Sequence, residues 1–121
     1  MGKHVAPGIT TRELDEIGLR VLDEHGARSA PQLAYQFPGT TCISVNDELA
    51  HGIPGGRRLA EGDLVNIDVS AELDGYFADT GASFPVGNIT AQKRRLLDAT
   101  RGALDDAMTQ AVAGRPIKNV A

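Results

Sequence analysis

The sequence predicts an α+β domain in which an antiparallel sheet carries helices on one of its faces. Apolar residues recur at helical spacing near both ends of the chain, which indicates two amphipathic helices. Between them, residues 64–72 alternate between polar and apolar side chains, as a half-buried strand does. The Asp74-Gly75 pair that follows is typical of a two-residue hairpin turn. Helix, strands and helix in this order predict helices layered on one sheet face.

The first helix is expected over residues 11–25. Thr10-Thr11-Arg12-Glu13 matches a capping box, in which the threonine side chain and the glutamate satisfy each other's backbone amides. Apolar residues follow at helical spacing, and Gly26 fits a helix stop. Residues 29–40 contain two prolines and one glycine, which predicts a loop with one short strand.

The middle of the chain is expected to contribute short strands and connections. Residues 41–45 are rich in β-branched side chains and predict a strand. A turn follows, and residues 49–53 are expected to pair back against that strand. Residues 57–63 are expected to form a polar connection to the long alternating strand.

The last third of the chain predicts a returning strand and a second helix. The returning strand is expected over residues 76–86, after the Asp-Gly turn. Thr90 fits the N-cap of a helix over residues 91–113, which has apolar side chains on one stripe. Gly114-Arg115-Pro116 fits the end of this helix.

Composition excludes several classes of protein. The chain has 121 residues, a length that suits one domain, and its 12 basic against 16 acidic residues give a net charge of −4. No apolar run reaches the ~18 residues of a membrane span. An acidic chain without a basic block disfavours nucleic-acid binding. The single cysteine, Cys42, excludes an internal disulfide, which indicates a reducing, cytoplasmic setting.

The predicted hairpin places two carboxylates close together. If Asp74 and Gly75 are the turn residues, Asp79 lies opposite Ser70, and it therefore shares a sheet face with Asp68. Two such carboxylates repel each other unless one keeps a proton or a cation lies between them. A three-residue turn would put them on opposite faces. The alternative is that this polar face is simply the solvent side of the sheet.

His51 and Cys42 are the other candidate functional residues. Three glycines and one proline accompany His51 in the segment His51-Gly52-Ile53-Pro54-Gly55-Gly56, which leaves room for a ligand to approach the imidazole. The alternative is an ordinary histidine in a surface loop. Cys42 is more typical of a small buried apolar residue than of a nucleophile.

Five blocks in order resemble the type I methionine aminopeptidases. They are Cys42-Ile43-Ser44-Val45-Asn46-Asp47-Glu48, His51-Gly52-Ile53-Pro54, Gly62-Asp63, Asn66-Ile67-Asp68-Val69 and Asp74-Gly75-Tyr76-Phe77-Ala78-Asp79-Thr80. The resemblance covers nearly the whole chain, and His-Gly-Ile-Pro favours the methionine enzymes over the proline-directed members of the superfamily. It implies the first half of the pita-bread fold and metal-dependent removal of N-terminal methionine from nascent peptides.

The resemblance also implies roles for individual residues. Asp68 would bind one divalent metal ion with both oxygens, and Asp79 would bridge two ions, which are cobalt, manganese, iron or zinc in the family. His51 would be catalytic and substrate-binding without being a metal ligand. Phe37 and Cys42 match positions that line the pocket for the methionine side chain.

The family's remaining metal ligands, one histidine and two glutamates, have no counterpart here. After Asp79 the sequence contains no His and no Glu. We therefore expect residues 1–121 to form a partial domain, truncated at both ends relative to the family and inactive alone. Its expected partners are a peptide N-terminus and either a complementary second half or another copy of the chain. The alternative function is a non-catalytic half-domain that self-associates or needs a complementary chain.

Overall fold

A four-stranded antiparallel sheet and two helices form the first of two units into which the chain divides. The computed structural model describes residues 1–120, with one unit over Met1–Ile89 and the other from Thr90 onward. The first unit begins with a short 3₁₀ helix, Gly2–His4. Its elements are α1 (Thr11–Glu24), β1 (Arg28–Ser29), α2 (Ala30–Tyr35), β2 (Cys42–Val45), β3 (Leu64–Leu73) and β4 (Tyr76–Pro85).

The long strand β3 is the centre of the sheet. β4 pairs with β3 along its whole length, while β1 and β2 pair with separate segments of the opposite edge of β3. Asp74 and Gly75 both have positive φ values, 52° and 85°, as a type I′ turn requires. The antiparallel α+β class and the predicted two-residue hairpin are therefore confirmed.

One face of the sheet packs against α1 to form the core. The capping box at Thr10 and Glu13 is present with both of its bonds, and α1 ends one residue earlier than expected. The core combines Leu14 of α1 with alternate residues of β2 and β3 and with the buried ends of two connections; its members are Leu14, Ile43, Val45, Leu59, Val65, Ile67 and Val86. Full burial of one such side chain contributes about 1.5–3 kcal/mol, so each member of this cluster stabilises the fold.

Three local expectations are wrong. Residues 30–35, expected in a loop, form α2, because Ser29 caps the helix and Pro31 fits its first turn, where a missing amide costs nothing. Residues 49–53 form no strand, because His51 has a left-handed backbone with a φ of 56°. Within the described residues, only one backbone hydrogen bond joins this segment to β2, from the Ile43 amide to the Gly52 carbonyl. The connection over residues 57–63 is not merely polar, because it buries Leu59 in the core.

The second unit consists mainly of the predicted second helix. This helix, α3, spans Ala91–Gln110, three residues short of the expected end, and Thr90 caps it by accepting a bond from the Lys93 amide. A short 3₁₀ helix, Ile117–Val120, follows. Among the described residues, no helix is both long and apolar enough to cross a membrane. The expectation of a single partial domain over residues 1–121 stays a prediction.

The carboxylate of Glu72 ties the edge of the sheet to the hairpin turn. Arg28 of β1 donates to one of its oxygens at 2.7 Å, and the Gly75 amide in the turn donates to the other at 2.7 Å. The Gly75 bond, followed by the Arg28 bond, lowers the pKa of Glu72 from its ordinary value. This buried carboxylate therefore stabilises the fold in its charged form.

We expect Glu72→Gln to lower the urea midpoint of unfolding near neutral pH, because the amide lacks the charge that both donors stabilise. The folded-state pKa of Glu72 lies below its unfolded value of about 4.3, so the carboxylate contributes fully above that pH. Its contribution is lost as the pH falls through the folded-state pKa.

Urea titrations of both chains at about pH 7, 5 and 3 measure the difference in midpoint. That difference should be largest near pH 7 and should shrink toward zero in acid. Glu16→Gln, at an exposed position of α1, is the matched control and should change the midpoint little. A difference that persists undiminished at pH 3 would contradict this account of Glu72.

Candidate functional site

Asp68 and Asp79 lie on the same face of the β3–β4 hairpin. The register pairs Asp68 with Gly81 and Ser70 with Asp79, so the two carboxylates are diagonal neighbours. Gly81 presents no side chain, and the carboxylate of Asp68 lies over it. The Ser70 hydroxyl donates to Asp79 Oδ1 at 2.6 Å, which orients that carboxylate. The parity inferred from the turn is therefore confirmed.

The two carboxylates interact strongly. The pKa of Asp68 is raised, first by its burial, then by the negative charge of Asp79, and then by a hydrogen bond shared between the two side chains. The positive charge of His51 acts in the opposite direction on Asp68. The pair therefore holds a proton more readily than an isolated aspartate, and the same negative potential attracts a cation.

Cys42 adjoins this carboxylate pair from the next strand. It pairs with Asp68 across β2 and β3 and is buried. Burial, and then the charges of Asp68, Asp79 and Asp15, raise the pKa of the thiol. A thiol held neutral in this way is a poor nucleophile, so Cys42 acts as a small apolar side chain beside the pair.

The backbone around His51 is held by several specific contacts. His51 has a positive φ of 56°, a strained conformation for a residue with a side chain. The next residue anchors it: the Gly52 amide donates to Ser44 Oγ at 3.1 Å, and the Gly52 carbonyl accepts from the Ile43 amide at 2.9 Å. A side chain at Gly52 would overlap the Ile43 carbonyl, so only glycine fits there.

The other end of this loop is attached to the first turn of α1. The Thr11 hydroxyl donates to the Gly55 carbonyl at 3.1 Å and accepts from the Gly55 amide at 2.9 Å. The Arg12 amide also donates to the Gly55 carbonyl, at 3.0 Å. The loop that carries His51 is therefore fixed on both sides, by β2 and by α1.

An open cavity of about 300 Å³ lies between α2 and the hairpin, on the side of the two carboxylates. Its walls are Ala30, Pro31, Ala34 and Tyr35 on one side and Ser70, Phe77, Ala78 and Asp79 on the other. Phe37 and Cys42, the residues expected to line a pocket, are not among these walls. Phe37 is half-buried and lies two residues after the end of α2, and its amide donates to the Pro31 carbonyl.

The structure thus brings Asp68, Asp79 and Cys42 together, and the charge of His51 acts on Asp68. It adds α2 and Phe77, which sequence reasoning missed. Ser29 and Pro31 carry the signal for α2, since serine at an N-cap and proline in the first turn are typical helix starts. Phe77 could have been found from the hairpin parity, because it is two residues before Asp79 and shares its face.

The donor set at the hairpin suits a divalent cation in part. Two carboxylates supply the hard oxygen ligands that divalent ions such as manganese accept. Within residues 1–120, no cluster of three or more His, Cys, Asp or Glu side chains is placed to hold an ion. The pair therefore fits as one side of a metal site and leaves the other coordination positions to water or to further ligands.

Comparisons with known proteins place the chain among metallopeptidases. The family model of metallopeptidase family M24 matches residues 1–121. The chain is 51% identical over 121 residues to methionine aminopeptidase of Staphylococcus epidermidis, covering 99% of this chain and 48% of that protein. It is 50% identical over 116 residues to methionine aminopeptidase 2 of Bacillus subtilis, covering 95% of this chain and 47% of that protein.

A solved structure shows the same architecture. The crystal structure of methionine aminopeptidase from Rickettsia prowazekii matches with a TM-score of 0.82 and 37% identity, over 88% of this chain and 43% of that one. The chain spans about half the length of the curated relatives it matches.

We expect Asp68→Asn to raise the thermal midpoint of the metal-free chain by about 2–6 °C, because it removes a half-buried charge and its repulsion from Asp79. The same substitution should abolish the rise in midpoint that manganese gives the unaltered chain, because one of two ligands is lost. Thermal melts with and without manganese measure both effects.

Asp47→Asn is the control for Asp68→Asn, since Asp47 is exposed on the turn after β2. It should leave the metal-free midpoint and the manganese effect nearly unchanged. A lower metal-free midpoint for Asp68→Asn would show that the two carboxylates do not destabilise each other.

Proposed function

We infer that this chain, which belongs to metallopeptidase family M24, provides one half of the active site of a methionine aminopeptidase. The observation that carries the inference is the placement of Asp68 and Asp79 on one sheet face, with the charge of His51 acting on Asp68 and an apolar cavity alongside. The reaction removes an N-terminal methionine from a nascent peptide.

The family membership implies divalent metal ions, and Asp68 and Asp79 are the residues that would hold them. We propose two ions, each of cobalt, manganese, iron or zinc. When bound, such ions lower the pKa of water and polarise a peptide carbonyl. Ser70 orients Asp79 through its hydroxyl, so this carboxylate is in place before any ion arrives.

His51 and the cavity position the substrate in this proposal. His51 is the catalytic histidine that contacts the peptide near the scissile bond and donates a hydrogen bond as charge develops there. Its anchored backbone keeps the imidazole in place, which reduces the entropy lost when substrate binds. The cavity beside Asp79 takes the methionine side chain. Phe37 and Cys42 remain proposed substrate-binding residues, although neither is among the walls of this cavity.

The remaining parts of the site come from outside the residues that the structure describes. Two carboxylates are too few for a catalytic metal centre, and we propose that a complementary polypeptide segment supplies further ligands. The relatives' greater length is consistent with this. We propose a cytoplasmic location, where nascent peptides are found.

A release assay with a Met-Ala-Ser peptide tests the proposal. The chain alone should release no methionine with cobalt or manganese, and calorimetry should show only weak binding of either ion. Mixing it with a complementary segment that carries the missing ligands should restore release, because the ions then have a full ligand set.

In the complemented enzyme, His51→Ala should lower kcat by about 100-fold or more while metal binding persists, because the substitution removes a donor to developing charge. Asp68→Asn should abolish both release and metal binding. His25→Ala is the matched control, since His25 caps α1 and its ring bonds to the Val21 carbonyl. Unaltered release in His51→Ala would overturn the role given to His51.

A second candidate function is a non-catalytic half-domain that associates with another copy of itself. Within residues 1–120, no strand pairs with the outer edge of β4, although that strand is ten residues long. Tyr76 and Phe77 at its start are exposed, Phe77 by 68%. Long edge strands with exposed aromatic side chains favour pairing with a further strand.

If copies associate, a divalent ion should strengthen the association, because each copy brings two carboxylates whose repulsion an ion relieves. Sedimentation at micromolar concentration, with and without manganese, measures this. We expect a larger dimer fraction with manganese and no such increase for Asp79→Asn, whereas Asp47→Asn should behave as the unaltered chain. A monomer under both conditions would contradict self-association.

A further inference from the structure

One carboxylate on α1 holds the two residues that precede β2. Asp15 accepts hydrogen bonds from the Thr40 amide at 3.1 Å, the Thr41 amide at 2.7 Å and the Thr41 hydroxyl at 2.7 Å. Thr40 and Thr41 are only 3% and 0% exposed, so these bonds are largely shielded from water. Hydrogen bonds to a charged acceptor in such a setting are stronger than ordinary ones.

Close packing on α1 holds Thr41 from its apolar side as well. Gly18 lies one turn after Asp15 on the same helix face, and the methyl group of Thr41 lies against it. A Cβ at position 18 would approach Thr41 Cγ2 to 2.9 Å, which is too close. Asp15 and Gly18 together therefore fix both the polar and the apolar part of Thr41.

Thr40 and Thr41 connect this anchor to the start of α2 and to the strand beside Asp68. Thr41 directly precedes Cys42, which pairs with Asp68. The Thr40 carbonyl accepts a 2.6 Å bond from Ser29 Oγ, and Ser29 is the N-cap of α2. Since α2 lines the cavity opposite Ser70 and Asp79, the segment that Asp15 holds is bonded to the residue at which one wall of the cavity begins.

We propose that Asp15 is a specificity-determining positioning residue, which sets the width of the cavity between α2 and the hairpin by holding Thr40 and Thr41. The proposal rests on the proposed function, in which this cavity takes the first side chain of the substrate. Loss of the anchor allows α2 to move away from the hairpin, and the cavity then admits side chains longer than methionine.

This role differs measurably from a purely structural one. A residue that only stabilises the fold lowers the unfolding midpoint when it is replaced, and the folded fraction keeps its preference for ligand size. A residue that sets the width of a cavity changes that preference, because one methylene group in a well-fitted apolar pocket alters affinity by about tenfold or more.

Amide chemical-shift titrations of the ¹⁵N-labelled chain test the proposal. The probes are L-methioninamide and L-ethioninamide, which is one methylene longer, and the quantity measured is the ratio of their dissociation constants. Asp15→Asn leaves one backbone donor facing an amide group, and it should reduce the preference for methioninamide by about threefold or more.

Two further variants complete the design. Thr41→Val keeps the shape of the side chain but removes one of the three donors to Asp15, so it should shift the ratio in the same direction even if Asp15→Asn fails to fold. Glu13→Gln weakens α1 at its capping box without contacting Thr40 or Thr41, and it should leave the ratio unchanged.

The outcomes separate this inference from the proposed function. A reduced preference in Asp15→Asn or Thr41→Val, with none in Glu13→Gln, supports it. An unchanged ratio in folded Asp15→Asn and Thr41→Val overturns it and leaves the proposed function standing. If neither probe shifts the amides of α2 and the hairpin in the unaltered chain, the cavity does not take this side chain, and both the substrate assignment and the inference fail.

Discussion

The two-residue turn at Asp74-Gly75 is the constraint on which the candidate site depends. Side chains in a strand alternate between faces, so a turn one residue longer would carry Asp79 to the opposite side of the sheet from Asp68. Positive φ values at both turn residues and the Glu72 carboxylate on the Gly75 amide hold the turn at this length. The turn residues that bring the two carboxylates onto one face are thus themselves four or more positions away from either of them along the chain.

A polar sheet face requires stabilisation from elsewhere, and the opposite face of the same strands supplies it. Val65 and Ile67 alternate with Asn66 and Asp68, and they pack with Leu14 and the residues of β2 in the core. The repulsion between Asp68 and Asp79 is a local cost that this core offsets. Stored unfavourable interactions of this kind are common where a protein binds a charged ligand.

Local patterns predicted the elements whose signals lie within a few residues. The capping box at Thr10 and Glu13 and the hairpin parity could both be read directly. α2 was missed because it is only six residues long and its proline resembles a loop signal. Two features could not be predicted in this way: the contact between the His51 loop and Thr11, and the burial of Leu59. Both depend on residues more than 40 positions apart, and a pattern of neighbouring residues carries no information about such contacts.

The Thr11–Gly55 contact makes the first turn of α1 and the His51 loop a single cooperative unit. The loop cannot detach without exposing the Arg12 amide and the Thr11 hydroxyl, which Gly55 satisfies, so its opening free energy includes part of the cost of fraying the helix. Native-state hydrogen exchange at the Gly55 amide would therefore follow that of the helix start rather than that of a mobile surface loop. Because a helix holds the loop of His51 in this way, the position of the imidazole depends on the stability of that helix. Substitutions at the N-terminus of α1 therefore affect the position of His51 even though they do not contact it.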